Sequence, residues 1–111
     1  MKTHLIVFSS PDMSREDLVK VIDEMADAVT YWYYCLPNSV FVTSPLDAYE
    51  LAEKIEERID VKDTKFIVAE ISGDKAQGRL PEAGWRIVNH PDSPKTPKRI
   101  KPRIGPPKSR Q

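Results

Sequence analysis

The sequence predicts an α+β domain in which four antiparallel strands form one sheet and two helices pack on one face of it. The first observation is the order of short apolar segments, which read β-α-β-β-α-β along residues 1–71. The second is that the two longer segments repeat their apolar residues at the spacing of a helix. The third is that each of these longer segments begins with residues typical of a helix N-terminus.

The first half of the pattern predicts a strand followed by a capped helix. Residues 2–8 form the strand, and both of its alternating faces are largely apolar. Ser14 is the predicted N-cap of the helix, and Asp17 completes a capping box with it. The apolar stripe of this helix consists of Leu18, Ile22, Met25 and Val29.

A hairpin is predicted after the first helix. Residues 30–36 are rich in aromatic side chains, which suit a strand. Pro37-Asn38 is a turn signal, and residues 40–43 form the returning strand. The pattern does not fix the register between these two strands.

A second helix and a fourth strand complete the predicted domain. Ser44 is the expected N-cap, with Pro45 at the first helical position and Asp47 closing a capping box. The apolar stripe of this helix consists of Ala48, Leu51, Ala52, Ile55 and Ile59. Residues 65–71 form the fourth strand, and residues 81–88 add one or two helical turns.

This order is the split βαβ arrangement and predicts a ferredoxin-like βαββαβ sandwich over residues 1–90. Both helices lie on one face of the sheet, so the other face is left open. The residues expected to point outward there are largely apolar: Ile6, Phe8 and some of Trp32, Tyr34, Val40 and Val42. Soluble monomers rarely expose so apolar a face. We therefore expect a homodimer with Phe8, Trp32 and Tyr34 at its interface, or cover from a partner, the C-terminal segment or stacked bases.

Charge is divided between the domain and the C-terminal segment. Residues 1–92 hold all 17 acidic residues and 10 of the 17 basic ones, a net charge of −7. Residues 93–111, named here the basic arm, have no acid and a net charge of +7. The cations of the arm are Lys95, Lys98, Arg99, Lys101, Arg103, Lys108 and Arg110. The proline-rich tail, residues 91–111, is predicted to be extended or disordered unless bound.

Four roles of the basic arm are compatible with its composition. The first is to bind nucleic-acid phosphates, and the second is to dock into a larger protein or nucleoprotein complex. The third is to fold back on the acidic domain or on a second subunit. The fourth is an inert solubilising role.

The composition argues against several classes of protein. A single cysteine, Cys35, rules out an internal disulfide and favours a reducing, cytoplasmic setting. No run approaches the roughly 18 apolar residues of a membrane span, so no membrane partner is expected. Two histidines are too few for a typical zinc site, and phosphate-loop and dinucleotide-binding motifs are missing. We therefore expect no metal site and no cofactor.

Four segments together resemble a family of small bacterial and phage proteins, the SinR family. They are the aromatic strand with its return strand at residues 32–42, the aspartates at 60 and 63, the stretch 71–74 and the stretch 80–85. The family resembles the small CRISPR spacer-integration subunit and virulence-associated protein D. The resemblance implies a ferredoxin-like fold that commonly dimerises, and a setting in phage defence or counter-defence.

One position departs from the nucleases of that wider group. They carry an aspartate at the end of the first strand, where a dimer would hold Mg²⁺ between two such residues. Here Phe8-Ser9-Ser10 stands at the matching place, and the nearest carboxylate is Asp12, behind Pro11. Because neutral hydroxyls are poor ligands for Mg²⁺, metal-dependent cleavage is not expected.

Three functions remain open at this point. The favoured one is a non-catalytic or catalytically degenerate relative of the small CRISPR-type nucleases that binds nucleic acid or a nucleoprotein complex. The first alternative is a Mg²⁺-dependent endoribonuclease with Asp12 as its catalytic residue. The second alternative is a protein–protein adaptor or inhibitor that docks through the C-terminal tail.

Overall fold

The computed structural model describes residues 1–59 and 63–92, and the basic arm lies outside these ranges. The described residues form an α+β fold with a four-stranded antiparallel sheet and three α-helices, consistent with a ferredoxin-like fold. In chain order the elements are β1 (Lys2–Ser9), α1 (Arg15–Asp23), β2 (Tyr31–Tyr33), β3 (Ser39–Ser44), α2 (Ala48–Arg58), β4 (Lys65–Ile71) and α3 (Glu82–Asn89).

The sheet has the strand order β2-β3-β1-β4, so β1 and β3 are central and β2 and β4 are edge strands. Ile6 on β1 lies opposite Val40 on β3 and Val68 on β4. Trp32 on β2 lies opposite Val42 on β3. All three pairings are antiparallel, which confirms the sheet that the order of the elements predicted.

The predicted hairpin is present, with a shorter first strand than expected. β2 covers Tyr31–Tyr33, whereas the aromatic pattern predicted residues 30–36. The turn at Pro37-Asn38 is confirmed, because Asn38 has a φ of 55°, a left-handed conformation that asparagine tolerates. The Asn38 carbonyl accepts a hydrogen bond from the amide of Phe8 at 3.0 Å, which ties the turn to β1.

The cap predicted for α1 is confirmed. The Ser14 hydroxyl accepts from the amide of Asp17 at 3.2 Å, and the Asp17 carboxylate accepts from the amide of Ser14 at 3.0 Å. The helix ends at Asp23, earlier than the apolar stripe suggested. Met25 and Val29 are buried all the same, in the turn that follows, where the Met25 carbonyl accepts from the amide of Val29 at 2.8 Å.

The N-cap of α2 is Asp47, so the assignment of Ser44 as the cap was wrong. The Asp47 carboxylate accepts from the amide of Glu50 at 2.8 Å, and the Glu50 side chain closes the capping box at 3.1 Å. Ser44 still pairs with Lys2 at the end of β3, and its hydroxyl accepts from the amide of Leu46. The sequence offers two possible caps, Ser44 and Asp47, and Ser44 belongs to β3.

One face of the sheet is covered by α1 and α2, and it is the face expected to be open. Buried Leu18 and Ile22 from α1 join Leu51 and Ile55 from α2 in the main core. The same core contains all of the residues expected to point outward: Ile6, Phe8, Trp32, Tyr34, Val40 and Val42. The predicted orientation was therefore wrong. Because both faces of β1 and β3 are apolar, their alternation does not indicate which face meets the helices.

The opposite face is partly covered by α3. Ile87 and Val88 of this helix form a second apolar cluster with Tyr33 and Phe41 of the sheet. The Thr3 hydroxyl donates to the carbonyl of Ile87 at 2.7 Å and fastens the helix to β1. The two helical turns were predicted, but their role as cover for the sheet was not. α3 packs mainly against β2 and β3, and the part of this face formed by Val7 of β1 and by Ile67 and Ala69 of β4 is exposed; we name it the open half-face.

Candidate functional site

Asp12 lies in the exposed loop between β1 and α1, as the sequence indicated. The Ser10 hydroxyl accepts from the amide of Asp12 at 3.2 Å and from the hydroxyl of Thr64 at 2.9 Å. These bonds hold the loop against the segment that leads into β4. The hydroxyl of Ser10 is thus engaged within the protein.

An open depression surrounds Asp12 at the N-terminus of α1, and Glu16 and Asp17 also line it. The backbone N–H of Ser14, which donates to the Asp17 carboxylate, and the nearby Ser14 hydroxyl hold the pKa of Asp17 below its ordinary value. The Asp17 carboxylate is therefore engaged in the capping box of α1. Across residues 1–59 and 63–92, no group of three or more His, Cys, Asp or Glu side chains is placed to hold a metal ion.

Aromatic side chains form a stack beneath the helices. The rings of Trp32 and Tyr34 are parallel within 7°, with centroids 6.1 Å apart. The guanidinium of Arg15 lies 3.7 Å from the centroid of the Tyr34 ring, and the Trp32 indole donates to Asp23 at 3.2 Å. Stacking of Trp32 or Tyr34 on nucleic-acid bases would require the rings to leave this core.

The same burial bears on the interface expected from the sequence. Phe8, Trp32 and Tyr34 are 4%, 5% and 7% exposed, respectively. Their side chains face α1 and α2 instead of an open sheet surface. A dimer that keeps this fold must therefore use other residues.

The open half-face of the sheet provides such residues. Val7 and Ile67 are directly opposite each other in the β1–β4 register and are 42% and 63% exposed. Leu36, which is 39% exposed, lines a neighbouring groove together with the loop before α3. The groove measures about 510 Å³ and includes Leu5, Phe41, Ile71, Leu80 and Trp85, with Lys75 and Arg79 among its polar residues. This surface was not predicted from the sequence, because the other face of β1 was expected to be exposed.

Cys35 is half-buried beside the second apolar cluster. Burial raises the pKa of its thiol, and the nearby charge of Arg15 only partly opposes this shift. A raised pKa keeps the thiol protonated and unreactive at neutral pH. Cys35 thus behaves as a small apolar residue.

The basic arm contains the remaining candidate residues, and all of them lie outside the described residues: Lys95, Lys98, Arg99, Lys101, Arg103, Lys108 and Arg110. Comparisons with protein-family models, curated proteins and solved structures found no match to this chain. In the part of the chain described, no helix has the length and apolar character needed to cross a membrane.

Proposed function

We propose that this protein is a non-catalytic binding protein whose basic arm engages nucleic acid or a nucleoprotein complex. The observation that carries the proposal is the separation of charge, with a net +7 and no acid in residues 93–111 against −7 in residues 1–92. The burial of Trp32 and Tyr34 supports the arm, not the sheet, as the binding element. The acidic domain would repel phosphates, so in this proposal the arm contacts the nucleic acid and the domain only anchors the arm.

The cellular setting of this function is part of the same proposal. A single cysteine fits a reducing, cytoplasmic location. The resemblance to small CRISPR-type proteins supports a role in phage defence or counter-defence.

Removing four of the seven positive charges of the arm is expected to abolish most nucleic-acid binding. Each cation that pairs with a phosphate releases counterions, so the dependence of log affinity on log salt should become shallower by about 0.7–0.9 for every phosphate that the arm no longer neutralises.

The test variant replaces four arm lysines by glutamine: Lys95, Lys98, Lys101 and Lys108. The matched control replaces four lysines of the domain: Lys20, Lys54, Lys65 and Lys75. Fluorescence anisotropy with labelled single-stranded RNA and duplex DNA measures the affinity across a salt series. Equal affinity for the two variants would refute a role of the arm.

Metal-dependent cleavage, the first alternative, centres on Asp12. We expect no cleavage of labelled RNA or DNA in Mg²⁺ or Mn²⁺, because the β1 end offers hydroxyls from Ser9 and Ser10 in place of carboxylates. The assay compares the natural protein with Asp12→Ala. Cleavage by the natural protein that disappears in Asp12→Ala would replace the binding proposal by an endoribonuclease.

The second alternative, an adaptor or inhibitor that docks through the C-terminal tail, concerns residues outside the described ranges. The open half-face at Val7 and Ile67 offers a separate surface for protein docking. Adjacent exposed apolar side chains of this kind are typical of interaction surfaces. We propose a second copy of the chain as their partner, in a two-fold dimer that buries the same half-face of each subunit.

Ile67→Glu is expected to shift the dimer to monomer, because each copy would bury a charge in the interface. Tyr49→Glu is the control, since it also replaces a large exposed apolar residue by glutamate, on α2. Sedimentation velocity over a concentration series measures the state of association. A natural protein that stays monomeric throughout the series would rule out the dimer and leave the half-face to a different protein.

A further inference from the structure

We propose that the basic arm docks on a groove of its own chain, between α2 and the edge strand β4, and that nucleic acid displaces it from there. Six residues line this groove: Tyr49, Ala52, Glu53, Glu56, Glu57 and Phe66. The displacement rests on the proposed nucleic-acid binding of the arm. The docking does not, since it depends on the arm and the domain alone.

The groove has an apolar floor that suits the arm. It measures about 360 Å³, and Tyr49 at its rim is 73% exposed, the largest fraction among the exposed large apolar residues described. Ala52 of α2 and Phe66 of β4 are half-buried beside it. The arm carries two large apolar side chains, Ile100 and Ile104. An extended arm can therefore place aliphatic groups on an aromatic floor.

The walls of the groove attract the cations of the arm. Glu53, Glu56 and Glu57 are exposed, and none of these carboxylates forms an ion pair with another described residue. The arm supplies seven cations and no acid. A single surface ion pair contributes little free energy. Several ion pairs formed together by one tethered segment can hold that segment on the groove.

The tether decides whether such a weak contact is occupied. A flexible segment joined to its binding site experiences an effective concentration of the order of millimolar. A contact with a dissociation constant of about 1 mM, too weak to hold a free peptide, is then roughly half occupied within one molecule. Competition by a nucleic acid of micromolar affinity would still empty the groove.

The arm starts at the end of the domain where α2 begins, and the groove extends from there toward Phe66, which pairs with Phe8 near the far end of β1. The carboxylate of Asp92 lies 3.5 Å from the amino terminus at Met1, so the arm leaves beside the start of β1. Lys2 pairs with Ser44, and α2 begins shortly afterwards at Ala48, at the same end of the sheet. Eight extended residues reach about 26 Å. The groove residues on α2 span about 12 Å of helix, less than half of that reach.

Paramagnetic broadening in the full chain tests the docking directly. A spin label is placed at Gly105→Cys in a Cys35→Ala background, and amide signals of the domain are recorded. We expect selective loss of signal at residues 49–57 and at Phe66 in low salt. The signals should return in high salt, because the screening length falls from about 30 Å at 0.01 M to about 3 Å at 1 M.

Two matched variants identify the groove as the cause. The first neutralises its wall with Glu53→Gln, Glu56→Gln and Glu57→Gln, and should lose the selective broadening. The control changes the net charge equally on and beside α1, with Glu16→Gln, Glu24→Gln and Asp27→Asn, and should keep it. Dispersed amide spectra of both variants verify that the fold is retained.

Three outcomes would overturn the docking. The first is broadening spread evenly over the domain, and the second is broadening that survives in the groove variant. The third is broadening that appears only between chains, when spin-labelled chains are mixed with chains that carry no spin label and whose signals are recorded. A single-stranded RNA oligonucleotide is then added to the labelled chain. Recovery of the α2 signals supports displacement. Docking that persists while the RNA is bound overturns displacement alone, and RNA that fails to bind contradicts the proposed function without touching the docking.

Discussion

Replacing Ile87 by aspartate is expected to unfold the domain or bring it close to unfolding. Ile87 is fully buried and joins Tyr33, Phe41 and Val88 in the cluster beneath α3. Truncating a buried isoleucine costs about 2–5 kcal/mol, and a buried carboxylate adds its desolvation. Small domains lie toward the low end of the usual stability range of about 5–15 kcal/mol. Urea unfolding followed by tryptophan fluorescence measures the decrease in stability.

Ile67→Asp is the matched control for this prediction. It makes the same chemical change on the sheet face that α3 packs against, but Ile67 is 63% exposed. Its midpoint should lie close to that of the natural protein when both are measured at concentrations where the chain is monomeric. An Ile87→Asp protein with a normal midpoint would show that α3 contributes little to the fold and that the second apolar cluster is dispensable.

The elements of the fold were largely predictable from local patterns. β1, β4 and the capping box of Ser14 and Asp17 were placed correctly, because alternation and cap chemistry depend on a few neighbouring residues. The end of α1 was not, since Met25 and Val29 keep helical spacing while the chain has already turned. The apolar spacing indicates which side chains point inward, and a turn can bury Met25 and Val29 as well as a helix can.

The orientation of the sheet was not predictable from these patterns. Ile6 and Val7 are both apolar, yet Ile6 is buried under the helices and Val7 is exposed on the other face. The choice depends on where α3 packs, which is a tertiary property. Ala83, Ile87 and Val88 did carry a signal, because their spacing gives one apolar side to an eight-residue helix.

The candidate site, too, was predictable from the sequence only in part. The sequence placed Asp12 in the correct loop, because Pro11 and the Ser14 cap fix where β1 ends and α1 begins. The groove at Tyr49 and Phe66 joins residues from two elements far apart in the sequence, and only their packing reveals it. The charge of the basic arm was evident from composition alone.

His4→Ala is expected to destabilise the domain by about 2–4 kcal/mol, because it opens a cavity and removes a buried hydrogen bond. His4 is fully buried on the helix-covered face of β1, and its Nε2 lies 2.9 Å from the carbonyl of Leu46. This bond holds the turn between β3 and α2 against the centre of the sheet. Loss of the donor leaves that carbonyl without its partner in a partly buried site.

The chemistry of His4 also predicts how its variants should rank. Its Nδ1 is buried and has no hydrogen-bond partner among the described residues, so only Nε2 contributes a bond. His4→Gln can keep a donor near the Leu46 carbonyl and should lose less stability than His4→Ala. Val7→Ala, at an exposed position on the same strand, is the control and should stay close to the natural protein. Urea midpoints measure all three, and a His4→Ala midpoint equal to that of Val7→Ala would show that the bond to Leu46 does not hold the turn in place.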